Sequence, residues 1–324
     1  VATNEARIML LDTASLYYRA FFGMPASLTA PDGTPINAVR GLLDFITRLV
    51  RDYQPTDLAA CWDDDWRPAF RVQAIPTYKA HRVADPGAVA VVSERGEHSN
   101  EAAEEVPDLL APQVPIIAEV LTALGITRVG APGFEADDVI ATLSERATGP
   151  VRIVTGDRDL FQLVDDARRV AVLYTASKGV GRAELVDEAW ISARYDIPAA
   201  HYGDYAALRG DPSDGLPGVK GVGERTAAKL VRDFGDLPSI RIAAADPDSE
   251  MASAVRKKLL AASDYLDLVP GVVLAVRDVP LPHDLDLTLP QAPADAAALS
   301  VLTERWGLDT PVSRLLEVLA KVHR

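Results

Sequence analysis

The chain has 324 residues, 48% hydrophobic and 25% charged, so it can bury the core of one large domain or two ordinary ones and is not disordered overall. Its formal net charge of −14 is unusual for a nucleic-acid protein, and no apolar run approaches the roughly 18 residues of a membrane-spanning helix. The lone Cys61 cannot form an internal disulfide and the N-terminus has no signal-peptide pattern, so a reducing cytoplasm is the expected compartment.

Residues 7–11 are a short apolar run ending at Asp12, which reads as a buried strand. Ala38, Leu42, Phe45, Ile46 and Leu49 give residues 37–52 the apolar face of a helix. Residues 57–62 read as the next strand, running into Asp63, Asp64 and Asp65. An amphipathic helix is expected over 113–124, a short strand over 127–130, and a helix starting near Glu135. Residues 151–155 form the clearest strand, followed by Asp157 and Asp159. This alternation predicts an α/β fold. From about 193 the pattern changes to short helices and glycine turns. Residues 272–276 are expected to return as a strand, and the tail from 294 as two helices separated near Gly307 and Pro311.

The acids are the most informative feature. They recur where predicted strands end or helices begin, and ligands of open α/β sheets bind beyond the carboxyl ends of the strands. Carboxylates gathered there repel one another unless cations hold them. One acid in a turn or at a helix start is ordinary capping; Glu135, Asp137 and Asp138 within four residues exceed what capping needs. Oxygen donors without His or Cys clusters suit Mg²⁺ or Mn²⁺, and a site this acidic can hold two ions. No Ser-His-Asp or Cys-His arrangement competes.

Between Gly215 and Arg232 the charge reverses: Lys220, Arg225, Lys229 and Arg232 face only Glu224. Gly218, Gly221 and Gly223 form a tight hairpin ahead of a helix that carries Arg225, Thr226 and Lys229, a pattern suited to DNA phosphates. Arg71, Lys79 and Arg82 supply cations after the second acidic motif, placed to grip a phosphate. Residues 83–108 carry seven acids and one basic residue, reading as a long acidic insertion.

In this order the motifs resemble the 5′-nuclease superfamily, which includes the N-terminal domain of bacterial DNA polymerase I, phage 5′ exonucleases and flap endonucleases. The resemblance covers about residues 8 to 235 and rests on residues 11–21, 37–39, 70–71, 78–82, 135–140, 155–160 and 208–219. It implies a PIN-like core with a central, mostly parallel sheet over 1–192, a helix–hairpin–helix region over 193–270, and a C-terminal segment over 271–324 that packs back on the core. It implies metal ligation or outer-sphere roles for Asp12, Asp64, Glu135, Asp137, Asp138, Asp157, Asp159, Asp211 and Asp214. Asp64 is chosen because it lies six residues before Phe70, the family's spacing. Lys79 and Arg82 would contact the scissile phosphate, and the hairpin would bind duplex, often with a K⁺ ion.

The implied activity is that of a stand-alone structure-specific 5′-3′ exonuclease and flap endonuclease on branched or nicked DNA and RNA–DNA junctions, partnered in function with DNA polymerase I and ligase. It would be a monomer without membrane association. A PIN-like ribonuclease and a non-cleaving DNA-structure-binding protein are the alternatives; a haloacid-dehalogenase-type phosphatase fails because position 14 is Ala rather than Asp. Three departures from the family stand out: Asp63 where a Phe is usual, Gly215 where an Asn is common, and an acidic arch in residues 83–108.

Overall fold

The computed structural model describes residues 7–83, 90–91, 104–105 and 107–322. Most of the acidic insertion therefore lies outside the described residues. Its two described pieces, β3 (Ala90–Val91) and β4 (Glu104–Glu105), pair antiparallel.

The central sheet has six strands in the order β5-β2-β1-β6-β7-β8. These are β1 (Ile8–Asp12), β2 (Asp57–Cys61), β5 (Thr127–Val129), β6 (Val151–Thr155), β7 (Val170–Tyr174) and β8 (Glu184–Val186). All neighbours are parallel except β7 and β8. Parallel pairing aligns the carboxyl ends of β1, β2, β5 and β6 along one edge.

Both faces of the sheet are covered, as parallel sheets require. Met9 and Leu11 of β1 join the core formed with α1 (Thr13–Gly23), α2 (Asn37–Tyr53), α4 (Gln113–Leu124), α13 (Ala296–Trp306) and α14 (Asp309–Val322). Leu10 faces the other way, onto α5 (Ala136–Arg146) and the helical region. Between them, α3 spans Ala69–Ala74.

The helical region runs through α6 (Glu188–Tyr195), α7 (Tyr202–Arg209), α8 (Glu224–Phe234), α9 (Leu237–Ala245), α10 (Ser253–Ala261), α11 (Ser263–Leu268) and α12 (Pro270–Val273). The strand expected over 272–276 does not form. Val272 and Val273 close α12, and residues 274–276 lie in no helix or strand. An apolar run reads alike for a buried strand and a buried irregular segment; here the backbone finds side-chain partners instead of a neighbouring strand. Among the described residues no helix is long and apolar enough to cross a membrane.

Candidate functional site

A cleft of about 1000 Å³ opens at the carboxyl edge of the sheet. Asp12, Asp63, Glu135, Asp137, Asp157 and Asp211 line it, together with Lys79 and Arg82. Each acid arrives on a different local device. Asp12 ends β1 and caps α1, accepting from Ser15 N at 3.2 Å while Thr155 Oγ1 donates to its Oδ2 at 2.6 Å. Glu135 and Asp138 form a reciprocal capping box at the start of α5, which turns Asp137 toward the cleft. Asp157 follows β6, and its Oδ1 accepts from Asp159 N at 2.9 Å. Asp211 caps a short turn, accepting from Ser213 N at 2.8 Å.

The second motif corrects the sequence reading. Asp63, not Asp64, reaches the cleft, where its Oδ1 accepts from Ala136 N at 2.8 Å. Asp64 packs on Gly130, where an added Cβ would meet Asp64 Oδ1 at 2.5 Å. The pleat explains the choice. Asp12 pairs with Cys61 across β1 and β2, and Asp63 continues the phase of Ala59 and Cys61, whose side chains face the same core as Leu10. Asp64 continues the opposite phase, that of Ala60.

Burial corrects one further expectation and sets the place of another residue. Arg71 was expected at DNA but is 3% exposed. Its guanidinium pairs with Glu135 and with Asp138, the latter at 2.6 Å from Nη2 and 3.0 Å from Nη1. Asp138, for which metal ligation or an outer-sphere role is expected, is fully buried; its Oδ1 accepts from Val276 N at 2.8 Å as well as from Arg71. It lies behind the cleft rather than on its lining.

Asp159 and Asp214 also lie off the lining, yet their charges act on the same acids. Asp214 accepts from Arg82 Nη2 at 2.6 Å. Lys79 is paired with Glu135, and its own backbone sits at φ 47°, a left-handed conformation uncommon for a residue with a side chain. The peptide is held there by Lys79 N donating to Asp214 O at 2.9 Å. Gly215 makes this contact between loops possible: it has φ +71°, and a Cβ on it would meet Thr77 O at 2.1 Å. The glycine that departs from the family's Asn is thus the residue this close approach demands.

Ser15 and Arg19 have no counterpart among the expected site residues, yet they line the cleft together with Phe22. Their spacing of four and three along α1 places them on one helix face below Asp12, a signal present in the sequence.

Electrostatics separate the acids into two groups. Burial, with the charges of Asp63 and Asp157, pushes the Asp12 carboxyl up to about 7. Burial and the charges of Asp157 and Asp12 raise Asp137 well above the carboxylate range. Burial also raises Asp63. Glu135 goes the other way: burial alone would raise it, but Lys79 and Arg71 hold it below its ordinary value.

Stability without divalent cations should follow from these directions. The unfolded chain releases the Asp12 proton near its ordinary 3.8 and the folded chain only near about 7, so stability falls as pH rises between those values. Glu135, whose folded value is depressed, contributes stability lost only at lower pH. Urea unfolding of the cation-free protein is therefore expected to show a higher midpoint at pH 5.5 than at pH 8, with Mn²⁺ removing the difference. An unchanged or reversed midpoint would contradict the charge balance.

Oxygen donors crowded until their protons are retained fit a hard divalent cation. Among the described residues, no three His, Cys, Asp or Glu side chains already meet as a closed cage. The acids instead face one another across the cleft, and Lys79, Arg82 and Arg209 pair with Glu135, Asp214 and Asp211.

The predicted hairpin stands beside the cleft's Asp211 loop. Gly218 has φ +64°, and a Cβ there would meet Arg209 O at 2.4 Å, so the hairpin is pinned against the end of α7. Lys220, Gly221, Gly223 and Arg225 are exposed. Gly223 caps α8 without a side-chain hydrogen bond, and Thr226 N donates to its carbonyl at 3.0 Å. Lys258 Nζ donates to Gly221 O at 2.8 Å, adding a cation that sequence reading missed. Lys229 is exposed but paired with Asp233.

Two family profiles match the chain: "5′-3′ exonuclease, N-terminal resolvase-like domain" over residues 7–196 and "5′-3′ exonuclease, C-terminal SAM fold" over 197–296. A 5′-3′ exonuclease of Streptomyces coelicolor is 60% identical over 96% of this chain and 99% of that protein. A 5′-3′ exonuclease of Mycobacterium tuberculosis is 47% identical over 96% and 97%. DNA polymerase I of the latter organism is 38% identical over 97% of this chain, but over only 32% of its own length. In fold, the chain is similar to T5 D15 protein co-crystallised with metal ions (TM-score 0.60, 15% identity, covering 98% of this chain and 99% of that one). It is also similar to the catalytic core of Rad2 in complex with DNA substrate (TM-score 0.58, 20% identity, covering 98% and 93%).

Proposed function

The chain belongs to the 5′-3′ exonuclease family, and from that premise we propose that it removes 5′ flaps and RNA primers from branched or nicked DNA, using Mg²⁺ or Mn²⁺. The observation that carries this reading is the convergence of six acids from five segments on one cleft with Lys79 and Arg82, next to an exposed basic hairpin.

Asp12, Asp63, Glu135, Asp137, Asp157 and Asp211 would hold the cations, with Asp159 and Asp214 behind them. A divalent cation supplies charge that stabilises the phosphodiester's developing negative charge and makes water a better nucleophile. Lys79 remains protonated: burial works against its charge, but Glu135 raises its pKa well above the ordinary value. Lys79 and Arg82 exchange Glu135 and Asp214 for the scissile phosphate as a strand enters. The charge they present stabilises the transition state electrostatically. Arg19 extends the cationic wall on the α1 side.

The hairpin would seat the duplex. Its exposed backbone and the N-terminus of α8 suit phosphate oxygens, and Lys220 and Arg225 add charge. Replacing both Lys220 and Arg225 with glutamate is expected to weaken binding to nicked duplex and flatten its salt dependence by roughly one logarithmic unit per lost contact. Fluorescence anisotropy across a salt series reads this directly; an unchanged slope would place the duplex elsewhere.

The substrate reading is tested by comparing Mn²⁺-dependent cleavage of a 5′-flap duplex, a blunt duplex and a single-stranded RNA. Faster cleavage of the flap, near its junction, is expected. Preference for the RNA would favour the PIN-like ribonuclease.

A further inference from the structure

From the last turn of α12 onward the chain runs as a strap whose backbone is held by buried side chains. Arg71 Nε donates to Val272 O at 3.1 Å, and Gln162 Nε2 donates to Val273 O at 3.0 Å. Ala275 N donates to Gln162 Oε1 at 3.0 Å, and Val276 N to Asp138 Oδ1 at 2.8 Å. Thr142 Oγ1 then accepts from Val279 N at 3.1 Å. Arg71, Asp138 and Gln162 are all buried.

Part of this has an ordinary purpose, since buried backbone outside helices and strands needs hydrogen-bond partners. The choice of partners goes further. The guanidinium that holds Val272 also holds Glu135 and Asp138. The amide that holds Val273 and Ala275 also donates to Asp159 O at 2.8 Å. The strap is therefore bonded to both acid-bearing walls of the cleft. At its other end, Tyr265 Oη donates to Ala207 O at 3.0 Å, joining α11 to the helix that leads into the hairpin.

We propose that residues 272–276 position the acids of the cleft, with Gln162 and Asp138 as positioning residues through which the hairpin-bearing region sets Glu135 and the 157–159 loop. This rests on the reading of Glu135 and Asp159 as acids that serve the cations. Gln162 touches neither substrate nor the cleft lining; it acts through the backbone it aligns. Asp138 acts through Arg71, orienting the guanidinium against Glu135.

The test uses the full chain without DNA and measures Mn²⁺ binding from the electron paramagnetic resonance signal of the free ion. Gln162→Met keeps the side-chain volume and removes both strap bonds. Its Mn²⁺ affinity is expected to fall about tenfold, the scale of losses behind metal ligands. Thr142→Val loosens the same strap from α5 and is expected to act in the same direction, so the test stands if Gln162→Met does not fold. A lower urea midpoint with unchanged Mn²⁺ affinity in the folded variants would show a merely structural strap and overturn the proposal. The underlying site reading fails separately if Glu135→Gln binds Mn²⁺ as the wild type does.

Discussion

Asp63→Ala should lower flap cleavage about 10³-fold, a loss of roughly 4 kcal/mol in transition-state stabilisation, on the scale expected of a metal-holding charge. Asp64→Ala should leave cleavage near the wild-type rate. The two residues are adjacent and chemically identical, so the contrast isolates direction. Asp63 continues the pleat phase that Asp12 shares with Cys61, while Asp64 packs on Gly130. Single-turnover rates on a flap duplex decide between them. Equal losses would mean that both carboxylates serve the site, and a larger loss from Asp64→Ala would restore the spacing-based choice.

Arg71→Ala should cost about 3–5 kcal/mol of stability, because it leaves the buried carboxylate of Asp138 without its cation and Glu135 with Lys79 alone. Against a total stability of roughly 5–15 kcal/mol this is a large fraction. The loss should shrink when Asp138 is already asparagine, since the stranded charge is then gone. Urea unfolding of the two single variants and the double variant measures the coupling. A loss below about 1 kcal/mol would put Arg71 in the class of exposed ion pairs and contradict its burial.

Much of the fold was legible because its strands are short apolar runs that end at acids. Residues 8–12, 57–61, 127–129 and 151–155 are strands as expected, and residues 37–53 and 113–124 are helices. The tail's two helices separate at Gly307, also as expected. β7 and β8 have no counterpart among the expected elements, and residues 272–276 form no strand.

The site was legible in kind and less so in detail. Spacing from Phe70 selected Asp64, whereas the alternation of β2 carried past its end selects Asp63. Carboxylates at 135, 137 and 138 look equivalent in one dimension. Only the third dimension shows that Asp137 faces the cleft while Asp138 turns inward to Arg71 and Val276. Arg71 looked like a surface cation because its two buried acids lie 64 and 67 residues away. Long-range pairing of this kind leaves no local pattern to read.

The acids beyond β1, β2 and β6 are proposed to make a cation-dependent phosphodiester-cleaving site. This is tested most directly by single-turnover cleavage of a 5′-labelled flap duplex by wild type and Asp157→Ala, each with EDTA or Mn²⁺. Labelled product is expected only from the wild type with Mn²⁺. Cleavage in EDTA, or cleavage undiminished in Asp157→Ala, would contradict it.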